Sequence, residues 1–438
     1  MTFAAQLAWW KNGGASNISR FAASLRPEWI SEALKASGVA TMRNRKLPAE
    51  KTIWLVLGIA LFGDRSILRV VEHLRLVFKG VVASSSISEA RARLTSSPIQ
   101  WLFNKVAEAW CDDCGDRWHG LALYGLDGSH QRVADAKAVA DHFGRPSGRT
   151  AGGYPQMRFV ALMNLTTRML AGASLGPWSA GETTLATDLW DRIPDQSLTI
   201  VDRGCLSYII ILYVRSMGTA RHFLTRAKSN TRYRTQRILP DGSAIVTLDA
   251  PKNLKRYLLD ASTHALEMRA IAYQHAGGKP SIILTTLLDH ETYPATDIID
   301  VYHKRWELEI GFDEIKTHML DRKEALRSQT VEGVLQEFWG ILLAYNLIRR
   351  EMHAVARKKG LPADRISFTG ALLKIQMFFM LAQNSAPGHL PRELAQLDDE
   401  LGRSFVLPPR RKDQRNPRHV KIKMSNYPRN PGRTAAAA

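Results

Sequence analysis

Apolar residues recur at helical spacing through the first 118 positions. Pro27 stands where a first helical turn takes it, ahead of a helix through Ala33 and Leu34. Pro48 opens a second, through Trp54, Leu57 and Leu61. Asp64 or Ser66 caps a third, in which Leu68, Val71 and Leu74 share one face. Ser86 caps a fourth, which carries Arg91 and Arg93. A small helical bundle is expected. The stretch from Trp54 to Gly63 is the most apolar, but it is about half the length that spans a bilayer and reads as a buried helix.

Near residue 119 the period changes. Leu121 to Leu126 is short and apolar and ends at Asp127; Leu198 to Val201 is similar and ends at Asp202. Gln156 to Thr167 and Arg168 to Leu175 pattern as a strand pair, and Arg221 to Lys228 as another strand. Gly181 to Asp191 and Ser207 to Met217 pattern as helices. That order predicts a mixed α/β sheet. Residues 229 to 296 are β-rich, with candidates at Arg232 to Leu239, Ala244 to Leu248, Leu266 to Tyr273 and Ile282 to Leu288; Asp241-Gly242 and Gly277-Gly278 supply turns. Helical spacing returns from Ala295 past Lys316 and again from Val331 to Ala356. The chain thus divides into a helical segment (1–118), a first α/β part (119–228), a β-rich insertion (229–296), a second α/β and helical part (297–402) and a tail (403–438).

Charge adds a partner. Sixty Lys and Arg against 41 Asp and Glu give +19. A field of that sign attracts polyanions, nucleic acid first among them. The tail is the extreme case: ten basic residues face one acid, Asp413, which predicts an extended or disordered arm in the absence of DNA. Three cysteines are too few for a disulfide framework and suit a reducing cytoplasm. Cys111 and Cys114 lack a second pair at finger spacing and read as two helix cysteines. The start of the chain has neither the basic opening nor the apolar run of a signal peptide, and no membrane association is expected.

The candidate chemistry rests on carboxylates. Aspartates that close strands project into the crevice where open α/β sheets take ligands. Tyr302, Arg305, Glu309 and Lys316 follow at intervals of three, four and seven. At helical pitch they fall within an arc of roughly 60°. The apolar stripe Val301, Leu308, Phe312, Ile315 and Met319 lies beside that arc, so the polar face borders the core at a cleft. Three converging carboxylates suit magnesium, with manganese able to substitute, because such hard ions prefer oxygen donors. Two ions roughly 4 Å apart serve both the attacking and the leaving oxygen of a phosphodiester. Gly144, Arg145, Gly148, Arg149, Gly152 and Gly153 form a basic loop that either closes over DNA phosphates or stays solvated. Arg203 either orients a carboxylate, touches phosphate or forms a plain salt bridge. Arg91 and Arg93 face either DNA or solvent.

These residues carry a resemblance. LYGLDGSHQRVAD, HFGRPSGRTAGGYPQMRFVAL, LTIVDRGCL and DVYHKRWELEIGFDEIK, in this order, resemble the transposases of the insertion-sequence-4 family, and LPAEKTIWLVLGIALFGDRSI resembles their N-terminal domain. The resemblance implies a ribonuclease-H-like catalytic core with a β-rich insertion before its third carboxylate, and an N-terminal helical DNA-binding domain. It implies Asp127, Asp202 and Glu309 as catalytic metal ligands, Tyr302 and Arg305 on the DNA end, and Lys316 on phosphate. The implied reaction is cut-and-paste transposition on double-stranded DNA, cleaving at terminal inverted repeats and joining to target DNA, by a homodimer in a synaptic complex in the bacterial cytoplasm at the nucleoid. Relatives hold a flipped base with a tryptophan of the insertion. This chain has none between Trp190 and Trp306, which leaves Tyr233, Tyr257, Tyr273 or Tyr293 to stack on that base if a hairpin intermediate is formed. The rivals are a nuclease without strand transfer and an inert DNA-binding descendant. The signature Tyr, Arg and Lys weigh against the first, and the intact carboxylate set against the second.

Overall fold

Proline and serine punctuation sets the first helices. A computed structural model describes residues 25–39, 47–63, 65–74, 82–111, 116–146, 153–205, 207–249, 265–274, 280–320, 325–381, 392, 396, 399–400 and 403–408. The expectations for Asp64, Cys114, Arg149, Tyr257 and most of the basic tail lie outside these residues. Helix α1 is Pro27–Ala36, with its proline in the first turn, where the missing N–H costs nothing. Helix α2 (Ala49–Leu61) is buried from Thr52 to Leu61, as a helix apolar all round must be. Helix α3 (Ile67–His73) is capped by Ser66, whose hydroxyl accepts the Arg69 N–H at 3.4 Å. Helix α4 (Ser84–Leu94) begins two residues before the serine read as its cap, and α5 is Ser97–Trp110. Arg91 is half-buried and does not stand on a freely solvated face. It turns inward and donates to Gln336 Oε1 at 2.9 Å and Ser328 Oγ at 3.0 Å.

The strands follow the expected order. They are β1 (Ala122–Arg132), β2 (Gln156–Asn164), β3 (Leu170–Pro177), β4 (Ser197–Val201), β5 (Arg221–Arg226), β6 (Tyr233–Ile238), β7 (Ala244–Asp249), β8 (Ala265–Tyr273) and β9 (Ser281–Thr285). Helix α6 (Lys137–Phe143) follows β1, two single-turn helices follow β3, and α7 (Tyr208–Ser216) links β4 to β5. The described strands form one sheet in the order β3-β2-β1-β4-β5-β9-β8-β7-β6. Strands β1, β4 and β5 are parallel, and β2 and β3 antiparallel to their neighbours. This is the ribonuclease-H-like arrangement. The β-rich insertion continues that sheet, since β9 pairs antiparallel with β5 at Leu224↔Thr285.

Helices cover the sheet. After β9 come α8 (Ala295–Tyr302), a 3-10 turn (His303–Arg305), α9 (Trp306–Asp313) and a π-helical segment (Glu314–Met319). Helix α10 (Val331–Lys358) is capped by Thr330, and α11 is Phe368–Leu381. The apolar residues of α10 (Val334, Phe338, Trp339, Ile341, Leu342, Tyr345 and Ile348) are buried within the chain. They join α1, α2, α4 and α5, together with Leu123, Phe159 and Met163 of the sheet, in one core. The other face of the sheet buries Tyr124, Leu126, Leu162, Trp190 and Phe223. The described residues up to Val406 belong to one compact unit. Among the described residues no helix is long and apolar enough to cross a membrane.

Candidate active site

Parallel pairing places the two aspartates side by side. Strand β1 does not stop at Asp127, as its apolar run suggested, but continues to Arg132 against β2. Its pairing with β4, however, last registers at Leu126↔Val201. Asp127 and Asp202 are therefore the next residues on two adjacent parallel strands, at the carboxyl end of the ladder, where such sheets bind ligands. The Asp127 Oδ1 accepts the Gly128 N–H at 2.8 Å. Burial pushes the Asp127 carboxyl up to about 6, with Asp202 and Glu182 adding in the same sense and the Gly128 N–H and Arg305 opposing.

Glu309 projects from α9. Its Oε1 accepts Arg305 Nη2 at 2.8 Å. Burial works against the charge on Arg305, but Glu309, Tyr302 and Asp202 more than offset it and hold its pKa above the ordinary value. One guanidinium thus offsets charge on all three carboxylates. Among the described residues no group of three His, Cys, Asp or Glu is close enough to hold an ion. The two aspartates are neighbours, and Glu309 is engaged by Arg305. The donors are all oxygens, the type a hard divalent cation takes, and such a charge would offset the burial and the neighbouring carboxylates that raise Asp127. The chemistry of the donor set therefore fits such an ion, although Glu309 is not drawn in with the two aspartates.

The helix behind Glu309 is not uniform. Tyr302 ends an α-helix, Arg305 ends a 3-10 turn, Glu309 is α-helical and Lys316 is π-helical. The 3-10 turn overwinds and the π segment underwinds, so their departures from α-helical pitch oppose each other. Lys316 Nζ donates to Ser129 Oγ of β1 at 3.3 Å. Burial and Arg132 depress its pKa. Tyr302 is buried and meets Tyr273 edge-on, ring centroids 6.1 Å apart.

A cleft of about 910 Å³ opens along the insertion strands next to the residue that follows Asp202, lined by Arg203, Arg226, Lys228, Arg232, Tyr233 and Tyr273 among others. Of the tyrosines considered for stacking, Tyr233 and Tyr273 line it, whereas Tyr293 stacks on Trp118 at 5.7 Å. Arg145 pairs with Asp135 and donates to the Gly153 carbonyl at 2.6 Å, so it clasps its own loop. Glu182 was not foreseen. A Cβ at Gly128 would stand 2.6 Å from its Cδ, which is how close this exposed carboxylate comes to the residue after Asp127. In sequence it is only an acid at a helix start, which capping explains without function.

A model of the insertion element 4 transposase N-terminal region matches residues 15–104, and a model of the transposase DDE domain matches residues 120–347. The chain belongs to the insertion-element-4 family of DDE transposases. It is 32% identical over 423 residues to "Transposase InsG for insertion sequence element IS4" of Escherichia coli (strain K12), covering 94% of each protein. It is 35% identical over 223 residues to "Putative transposase InsZ" of the same organism, covering 48% of this chain and 72% of that one. A solved piggyBac transposase synaptic complex with hairpin DNA is similar with a TM-score of 0.47 and 13% identity, over 90% of this chain and 85% of that one. The protein is a transposase, an enzyme that acts on DNA, and its family uses divalent metal ions.

Proposed function

We propose that Asp127, Asp202 and Glu309 are the catalytic carboxylates and hold two magnesium ions, replaceable by manganese. The observation that carries this reading is the placement of Asp127 and Asp202 at adjacent ladder ends, with Arg305 offsetting charge on both and on Glu309. When bound, the ions supply Lewis-acid stabilisation to the attacking and leaving oxygens of a phosphodiester. Water adds to phosphorus at the transposon end, and the 3′ oxygen leaves and takes up a proton. The freed 3′-OH then attacks a target phosphodiester and displaces the target's 3′ oxygen, so one bond forms as one breaks.

The residues around the carboxylates bind and orient the DNA. Arg305 exchanges Glu309 for a phosphate oxygen, a trade of one charge-assisted bond for another. Lys316, held at Ser129, neutralises a neighbouring phosphate. Tyr302 supplies a packed wall that limits water. If the path runs through a hairpin, Tyr233 and Tyr273 are placed to stack on an unpaired base among the cations of the adjoining cleft. Arg145 organises its loop and contacts DNA only indirectly. Terminal inverted repeats are the DNA bound, and two copies act together because two ends join one target.

The test is Glu309→Gln on end-sequence DNA. Cleavage should disappear while DNA affinity stays near that of the wild type; cleavage at the wild-type rate sinks the site. Mixing this variant with a full-length chain whose N-terminal helices carry the surface charge reversals Arg69→Glu and Arg93→Glu, chosen to weaken end binding without opening the shared core, should restore part of the cleavage if subunits act in trans. No recovery, together with a monomeric complex that completes strand transfer on both ends, removes the dimer.

A further inference from the structure

Behind the active-site helix lies a cluster of charges that the chemistry does not use. Arg168, in the turn between β2 and β3, donates through Nε to Glu307 Oε2 at 2.6 Å and through Nη1 to Glu314 Oε1 at 3.0 Å. The second oxygen of Glu314 accepts the Tyr345 hydroxyl at 3.0 Å and a bond from Arg349, both on α10. The Arg168, Glu307, Glu314 and Arg349 side chains are at most 7% exposed. Two cations and two anions leave the cluster neutral.

We propose that Arg168 is a positioning residue, which fixes the helix carrying Glu309 and Lys316 by gripping it at Glu307 and Glu314. This rests on the assignment of Glu309 and Lys316 to the active site. Three observations converge on it. Glu307 and Glu314 are seven residues apart, about two turns, and bracket Glu309. A helix held at two points along its axis on one side can neither slide nor roll without breaking a buried ion pair. Glu314 also opens the π-helical segment, so the grip sits where the winding changes and Lys316 is brought to Ser129. Finally, Arg168 has a φ of +59°, where glycine or asparagine costs less. An arginine kept at that cost is explained by its side chain.

The turn that presents Arg168 is itself anchored. Asn164 Oδ1 accepts the N–H groups of Thr166 and Thr167 at 2.9 and 3.1 Å. Asn346 of α10 bonds both the N–H and the carbonyl of Leu170, at 2.8 and 2.9 Å. The guanidinium therefore starts from a rigid base. Burying four charges is costly, and an apolar set of the same volume would be as stable, so the cluster contributes definition of geometry more than stability.

The test uses the full chain with three variants: Arg168→Lys, the double variant Arg168→Met with Glu307→Leu, and Glu309→Gln as control. The double variant removes one cation and one anion and leaves Arg349 paired with Glu314, so it retains a neutral interior. Thermal midpoint, Mn2+ binding by electron paramagnetic resonance, and kcat and KM on end DNA are read for each. The double variant should melt close to the wild type, Arg168→Lys should melt lower because one ammonium cannot serve both buried carboxylates, and both should bind DNA with unchanged KM. Their kcat should fall on the order of 10- to 100-fold, and Mn2+ binding should weaken. A double variant with wild-type kcat and Mn2+ affinity overturns the proposal, and so does a loss of activity that follows the melting temperature in every variant. If Glu309→Gln still cleaves, the site assignment has failed; if it is inactive while the double variant is fully active, only the role of Arg168 has.

Discussion

Gly125 lets the active-site helix lie against β1, and Gly125→Ala tests how closely. A Cβ there would stand 2.6 Å from Leu308 Cδ1, 2.8 Å from Leu165 Cδ2 and 3.1 Å from Leu308 Cγ. Carbon atoms prefer about 3.5–4.0 Å, so the two closest contacts are short by roughly 1 Å. Neither leucine has room, since Leu308 is 0% and Leu165 1% exposed. Overpacking of this kind costs about 1–3 kcal/mol. Because Leu308 precedes Glu309, a helix that backs away by about 1 Å carries the carboxylate with it, and misplacement of that size costs about 100-fold in rate. Urea denaturation gives the first quantity and cleavage of labelled end DNA the second. Gly311→Ala is the control. A Cβ at 311 meets Met163 Cε at 2.4 Å, the flexible end of a methionine, with Tyr345 Oη at 3.1 Å. Methionine repacks readily, and alanine regains about 1 kcal/mol of helix propensity, so this variant should keep both stability and cleavage. A Gly125→Ala protein with an unchanged midpoint and full cleavage refutes the reasoning, as does a Gly311→Ala protein equally impaired.

Two further outcomes follow from charge. Asp127 titrates near 6 in the fold against 3.8 as an ordinary aspartate, so between those values the folded protein holds the extra proton and stability falls as pH rises. In metal-free protein, Asp127→Asn should be the more stable above about pH 6, by at most about 3 kcal/mol, with the gap closing below about pH 4; denaturation in chelator at several pH values that shows no such divergence removes the argument. Deleting 403–438 takes away ten basic residues and one acid, 10 − 1 = 9 net positive charges, and should flatten the salt dependence of DNA binding; an unchanged slope in a salt titration excludes the tail as a DNA contact.

The strands were legible because their apolar runs are short and end at turn residues, and Asp202 sits where that reading put it, directly after β4. Asp127 misled because β1 turns polar at the point where it leaves β4 but keeps β2 as a partner, and polarity along one strand does not reveal which neighbour remains. The insertion's strands were visible, but their union with the core sheet depends on pairing of β5 with β9, some sixty residues away in sequence. Glu307, Glu314 and Arg168 carry no signal in the sequence, because such residues are seldom buried unless paired and the Arg168–Glu307 pairing spans 139 positions. Winding changes on either side of α9 were likewise invisible to a fixed pitch.

The sheet that runs unbroken from β3 to β6 has a geometric consequence. The cleft lined by Arg226 and Tyr273 and the ladder ends carrying Asp127 and Asp202 belong to one hydrogen-bonded plate, and Arg269, wholly buried in β8, ties that plate to the Tyr293 carbonyl at 2.6 Å and Ser243 Oγ at 2.7 Å. The described strands of the insertion are therefore a hydrogen-bonded extension of the core sheet. On the proposed function, DNA seated in the cleft would meet the carboxylates at a distance set by the spacing of the strands between them.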